Sequence, residues 1–132
     1  MKKLLLIPVL LISIFCFAQD AKKIIGKPIK IDNLLVAQKD FPDEMEWDEA
    51  NNACKALGSG WRLPTKIELR ILYKNRYKIA VFSNTFYWSS SEIYTSNSSS
   101  YARDAWYMLM NNGAYMAGRK DGLNYARAVK TF

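Results

Sequence analysis

The chain has 132 residues, half of them hydrophobic, with 19 Lys and Arg against 12 Asp and Glu, two cysteines and no histidine. That length suits one domain with a single apolar core. Without histidine, Ser-His and Cys-His nucleophile pairs and most zinc sites are excluded, and a formal charge of +7 turns attention to acidic glycans, anionic lipid headgroups or nucleic acid as partners.

Residues 1–18 read as an export signal. Lys2 and Lys3 precede an apolar run, Leu4 to Phe17, and Cys16 and Ala18 supply the small residues that a signal peptidase recognises. The run is too short and too interrupted by Pro8 to read as a membrane span. Cleavage after Ala18 is the preferred reading, with a lipid anchor on Cys16 as the alternative. The exported product, periplasmic or secreted, keeps 114 of the 132 residues; losing Lys2 and Lys3 lowers its charge from +7 to +5. Cys54 is then alone, so no internal disulfide can form and the core must supply stability.

Residues 19–30 read as a flexible lead-in, and one domain is expected over 31–132. Ile29 to Ala37 predicts a first strand that loses alternation near Asn33. An acidic block follows: Asp40, Asp43, Glu44, Glu46, Asp48 and Glu49. Trp47, Ala50, Ala53, Cys54 and Leu57 share one face of a helix over 47–57, which Gly58 and Gly60 terminate. On that face Cys54 is a small buried hydrophobe and not a nucleophile.

Gly60-Trp61-Arg62-Leu63-Pro64-Thr65 then leads into Glu68-Leu69. Pro64 favours extended backbone at Leu63, and Thr65 with Glu68 makes a reciprocal T-x-x-E capping box. The helix it opens, about Lys66 to Arg76, carries Ile67, Leu69, Ile71, Leu72 and Tyr73 around most of its circumference. It should therefore be largely enclosed, with Lys66, Arg70 and Lys74 as a narrow basic outlet to water.

Strands follow. Phe82 to Ser91 contains Phe86-Tyr87-Trp88 and three serines, and Tyr94 to Ser100 is a polar loop. Asn112-Gly113 predicts a two-residue type I′ turn that places Met110 opposite Tyr115 and Leu109 opposite Met116. Asp121-Gly122 marks another turn, and Tyr125 to Thr131 is a last strand.

Taken in order, Trp47-Asp48-Glu49-Ala50, G-W-R-L-P-T with Glu68-Leu69, Tyr87-Trp88-Ser89-Ser90-Ser91-Glu92 and Ala126-Arg127-Ala128-Val129-Lys130 resemble a bacterial family of exported domains. That family is the Lcl C-terminal domain family, of C-type-lectin-like fold, and the resemblance spans about residues 31–131. A more distant similarity, through R-L-P-T and W-S-S, links the chain to the formylglycine-generating enzyme group. The resemblance implies an α+β domain in which two helices pack on short antiparallel sheets and the first and last strands pair. Trp47, Trp61, Arg62, Pro64, Thr65, Glu68 and Trp88 would be its structural motif, and the loop Glu92 to Asp104 would carry binding. The Glu-Pro-Asn or Gln-Pro-Asp and Trp-Asn-Asp triplets of calcium-dependent sugar lectins are missing, so no lectin-type calcium site, and no other metal or cofactor, is expected. A lone cysteine likewise argues against formylglycine-generating chemistry.

The leading expectation is a non-enzymatic binding module for an anionic glycan or an envelope protein. Tyr94, Tyr101, Arg103, Trp106, Arg119 and Lys120 are its candidate ligand-binding residues: aromatic faces stack on sugars, and cations pair with carboxylate or sulfate. For Trp106 the competing reading is burial, with Met108 and Met110, on the inward face of a strand. The alternatives are a glycan hydrolase using Glu92 and Asp104, and a structural envelope-assembly role. Nucleic acid matches the charge but not the export signal.

Overall fold

The computed structural model describes residues 20–79, 81–93 and 104–132. The expected export signal, and Tyr94, Tyr101 and Arg103 of the candidate site, lie outside them.

Residues 20–25 are helical (α1), and Ile24 and Ile25 pack on the core. Lys39 and Gln38 donate their amides to the Ile24 and Ile25 carbonyls, so a polar stretch expected to be a flexible lead-in is tied down by two apolar residues. The first strand is in fact two. Strands β1 (Ile29–Ile31) and β2 (Leu34–Val36) form a hairpin with Ile31 opposite Leu34, closed at Asp32-Asn33. Asp32 sits at φ 52°, a left-handed conformation that aspartate tolerates and β-branched residues do not. The loss of alternation near Asn33 was this turn.

β2 also pairs with β6 (Val129–Thr131), giving a sheet in the order β1-β2-β6 that joins the two ends of the domain. Helix α2 (Trp47–Ala56) buries Trp47, Ala50 and Cys54 on one face. Burial pushes the Cys54 thiol up to about 12, so it stays protonated and inert near neutral pH. Helix α3 (Lys66–Lys74) opens on the expected capping box: Thr65 Oγ1 accepts from the Glu68 amide at 3.2 Å, and Glu68 Oε1 accepts from the Thr65 amide at 2.9 Å.

A second sheet contains β3 (Phe86–Glu92), β4 (Asp104–Leu109) and β5 (Ala114–Arg119), in that order. The β4–β5 register differs from the type I′ expectation. Leu109 faces Ala114 and Met108 faces Tyr115, across the loop Met110–Gly113. Gly113 alone of the loop residues has positive φ, so Asn112 does not adopt the backbone that a type I′ turn requires. Met110 is instead buried, its amide donating to the Thr85 carbonyl, while Asn112 Oδ1 accepts from the Ala114 amide. The two-residue shift keeps every side chain on its expected face.

Trp61 and Trp88 are buried, at 7% and 0% exposure, in one apolar cluster with Trp47 and Cys54; a second cluster joins Leu69, Leu72, Tyr87 and Met108 under α3. Two of the tryptophans place their N–H on backbone carbonyls: Trp47 donates to Ser89 O and Trp88 to Met45 O, each at 2.8 Å. The architecture is the α+β, C-type-lectin-like fold implied by the resemblance.

Candidate ligand-binding surface

The entry to α3 is fixed from three sides. Arg62 forks onto Glu68 at 2.6 and 2.9 Å and reaches Thr131 Oγ1 at 2.8 Å, coupling the cap to β6. Burial pulls the Glu68 carboxyl upward, but the hydrogen bonds from Arg62 and Thr65 outweigh it and hold the group below its ordinary value. The hydrogen bond to Glu68 likewise raises Arg62. On the sheet side, the Ser90 amide donates to Pro64 O and the Lys66 amide to Ser91 Oγ.

The three serines have a shared purpose that sequence reasoning missed. Register shifts between Trp88 and Glu92, so the β3–β4 ladder is interrupted there. The buried Ser89 hydroxyl fills the gap, donating to Trp106 O at 2.7 Å and accepting from the Ser91 amide at 3.1 Å. Short hydroxyls immediately after an aromatic strand were the available signal.

With α3 so placed, its basic stripe does not simply open to water. Lys66 Nζ lies 3.6 Å from the centroid of Trp106 and 4.7 Å from that of Tyr115, and the Arg70 guanidinium carbon lies 4.5 Å from Tyr115. Tyr115 donates its hydroxyl to Lys66 O at 2.8 Å and meets Trp106 edge to face at 6.5 Å. Lys66 and Arg70 are half-buried, and neither pairs with a carboxylate among the described residues. Only Leu69 and Leu72 of the helix are buried, and Ile67 is 73% exposed. The expectation of a largely enclosed helix is therefore corrected: the rings of β4 and β5 draw the cations over, leaving Ile67 at the surface.

The other candidates sort differently. Trp106 is half-buried at the rim of the face on which Met108 and Met110 are buried, so its two readings each hold in part. Arg119 is exposed and forks onto Asp121 at 3.0 and 2.7 Å. Lys120 is engaged inside the fold, 2.7 Å from Glu92 and 4.3 Å from the Trp47 ring centroid. That pin connects the end of β5 to the start of α2, and the Lys120 carbonyl also accepts from the Trp47 amide. Asp40 leaves the acidic block altogether. It binds buried Arg127 at 2.7 Å and accepts from the Tyr87 hydroxyl at 2.6 Å. Burial, then Asp40, raises the Tyr87 phenol far above its ordinary value. A cleft of about 460 Å³ between α1, Phe41-Pro42 and the end of α2 shares no residue with the Lys66–Trp106 patch.

Residues 27–130 match the family model of the Lcl C-terminal domain. The chain belongs to the Lcl C-terminal domain family. No curated protein matches it. Among solved structures it is similar to EMS16, an antagonist of the collagen receptor integrin alpha2beta1 (GPIa/IIa), with TM-score 0.59 and 15% identity over 81% of this chain and 98% of that one. It is similar also to botrocetin, TM-score 0.57 and 11% identity, and to a chain of a complex between botrocetin and a mutant von Willebrand factor A1 domain, TM-score 0.56 and 11% identity, each with the same coverage. At these identities the likeness concerns the fold. None of the three is a formylglycine-generating enzyme, and that similarity stands on the sequence motifs alone. Among the described residues no helix is long and apolar enough to cross a membrane.

Proposed function

We propose that this Lcl C-terminal domain is an exported, non-enzymatic binding module whose ligand is an anionic glycan, held at the patch of Lys66, Arg70, Trp106 and Tyr115. The observation that carries the reading is the pair of cations stacked on aromatic rings without a carboxylate partner among the described residues. Such cations are already oriented, so less side-chain freedom is lost when sulfate or carboxylate arrives. Tyr115 and Trp106 are half-buried beneath the cations, and the part of each ring left exposed can meet the apolar side of a sugar. In the chain, Tyr94, Tyr101 and Arg103 precede β4, and Trp106 is the third residue of that strand.

A second reading, an acidic protein surface as ligand, is favoured by the neighbours: EMS16 antagonises an integrin, and botrocetin forms a complex with the A1 domain. Hydrolysis through Glu92 and Asp104 is disfavoured, because Lys120 holds the Glu92 carboxylate. An array of sulfated, uronate-bearing and neutral glycans tests the proposal. Retention of acidic glycans, weakened about tenfold or more in a Lys66→Gln/Arg70→Gln variant, is the expected result. Retention indifferent to that variant would refute the patch, and an array without any acidic binder would turn attention to the protein reading.

A further inference from the structure

Among the described residues, no strand pairs with the outer edge of β5. In β4 the even-numbered residues direct their backbone groups at β3: the Met110 amide donates to Thr85 O, the Ile93 amide donates to Asp104 O, and Ser89 Oγ donates to Trp106 O. The odd residues of β4 therefore serve β5, and the register Leu109–Ala114, Tyr107–Met116, Ala105–Gly118 assigns the even residues of β5 to that ladder. Tyr115, Ala117 and Arg119 are left with backbone groups pointing away from the sheet, and β4 is the only strand beside β5 among the described residues. Of these outward groups only the Arg119 carbonyl has a backbone partner there, the Gly122 amide.

An open edge ordinarily carries a charge, a proline or a bulge that discourages pairing. Ala114-Tyr115-Met116-Ala117-Gly118 has none of these over five residues, and Met116 is 42% exposed. The run is also self-complementary. Laid antiparallel on a second copy with Met116 opposite Met116, it sets Ala114 against Gly118 and Tyr115 against Ala117. Large Tyr115 meets small Ala117, Ala114 and Gly118 are both small enough to pair without a clash, apolar meets apolar at the centre, and no like charges meet. Tyr115 and Ala117 then exchange their outward amide and carbonyl groups, which is the hydrogen-bonded pairing such a ladder needs.

We infer that the β5 edge is an interaction surface for a second copy of this chain, joining two three-stranded sheets into one of six. The two-fold axis runs through the Met116 pair, perpendicular to the sheet. Residues directly opposite in an antiparallel pair share a face, so α3 of each copy lies on the same side; α3 reaches β5 only through side chains over the Tyr115 ring and its hydroxyl, and takes none of the outward backbone groups of Tyr115 and Ala117. The surface closes after one pairing and gives a dimer, not a fibre.

Sedimentation of the purified protein over a concentration series tests the inference, with Ala117→Pro and Met116→Cys as probes. Proline at 117 removes an outward amide and no β4–β5 hydrogen bond, so the fold survives while pairing fails. The expected result is a monomer–dimer equilibrium in the native protein, shifted at least tenfold towards monomer in Ala117→Pro with unchanged circular dichroism. Met116→Cys should form a disulfide-linked dimer under oxidation, because that non-hydrogen-bonded pair brings its Cα atoms to about 4.5 Å. A native protein that stays monomeric at every concentration, or a dimer indifferent to Ala117→Pro, overturns the proposal. A dimer in which Met116→Cys does not cross-link overturns the register.

Discussion

Arg127 and Lys66 are both cations laid over aromatic rings, 4.3 Å from Phe82 and 3.6 Å from Trp106, yet their surroundings are opposite. Arg127 is 1% exposed, and its guanidinium donates to Asp40, to Ala37 O and to Val81 O. A charge so enclosed must have its counter-ion and hydrogen bonds supplied from within. Lys66 is only half-buried, and no carboxylate neutralises it among the described residues. The first arrangement fastens the C-terminal segment to the loop after β2 and to the start of the second sheet. The second leaves an oriented positive charge for something outside the molecule.

Removing a partner at each place should separate them. Asp40→Ala strands the Arg127 charge and the Tyr87 hydroxyl, and chemical denaturation should show a loss of about 3–5 kcal/mol. Neutralising Lys66 and Arg70 together removes only part-exposed cation–ring contacts, about 0.5–1 kcal/mol each, so the midpoint moves little while acidic-glycan binding falls. Comparable destabilisation by both changes would erase the distinction.

The cap that aims Lys66 is a weaker fixture than the buried pair. Thr65→Ala should cost about 1 kcal/mol, measured in the same denaturation series. Its partner Glu68 gives the smallest effect. Because the folded carboxyl lies below its unfolded value, its contribution is complete above the ordinary glutamate range near about 4.3 and disappears as pH falls through the folded value. Unfolding midpoints should decline with acidification, and Glu68→Gln should reduce that slope; an identical slope would mean that other carboxylates carry it.

The parts written in local sequence were legible. Thr65-x-x-Glu68 specifies its cap through neighbours three residues apart, and the apolar spacing from Trp47 to Cys54 predicts the buried face of α2. The burial of Trp61 and Trp88 also agrees with the core expected from the family motifs. Pairings that cross the chain were not legible. Asp40 and Arg127 are 87 positions apart, and nothing near Asp40 distinguishes it from the five acids beyond it. The β4–β5 register escaped because Asn112-Gly113 signals a tight turn locally, whereas burial of Met110 and its bond to Thr85 decide the outcome from another strand. At the candidate surface, Trp106 was visible as an aromatic on a strand, but its covering by a helix forty residues earlier was not. Lys120 misled for the same reason, since its Glu92 partner lies 28 residues away.

The decisive measurement is calorimetric titration of a sulfated hexuronate oligosaccharide into the native protein and into Lys66→Gln/Arg70→Gln, at two salt concentrations. A ring-oriented pair of cations with no carboxylate partner among the described residues predicts binding to the native protein that weakens with salt, and a loss of about tenfold or more in the variant at unchanged thermal stability. Equal affinity in the two proteins, or binding insensitive to salt, would contradict it.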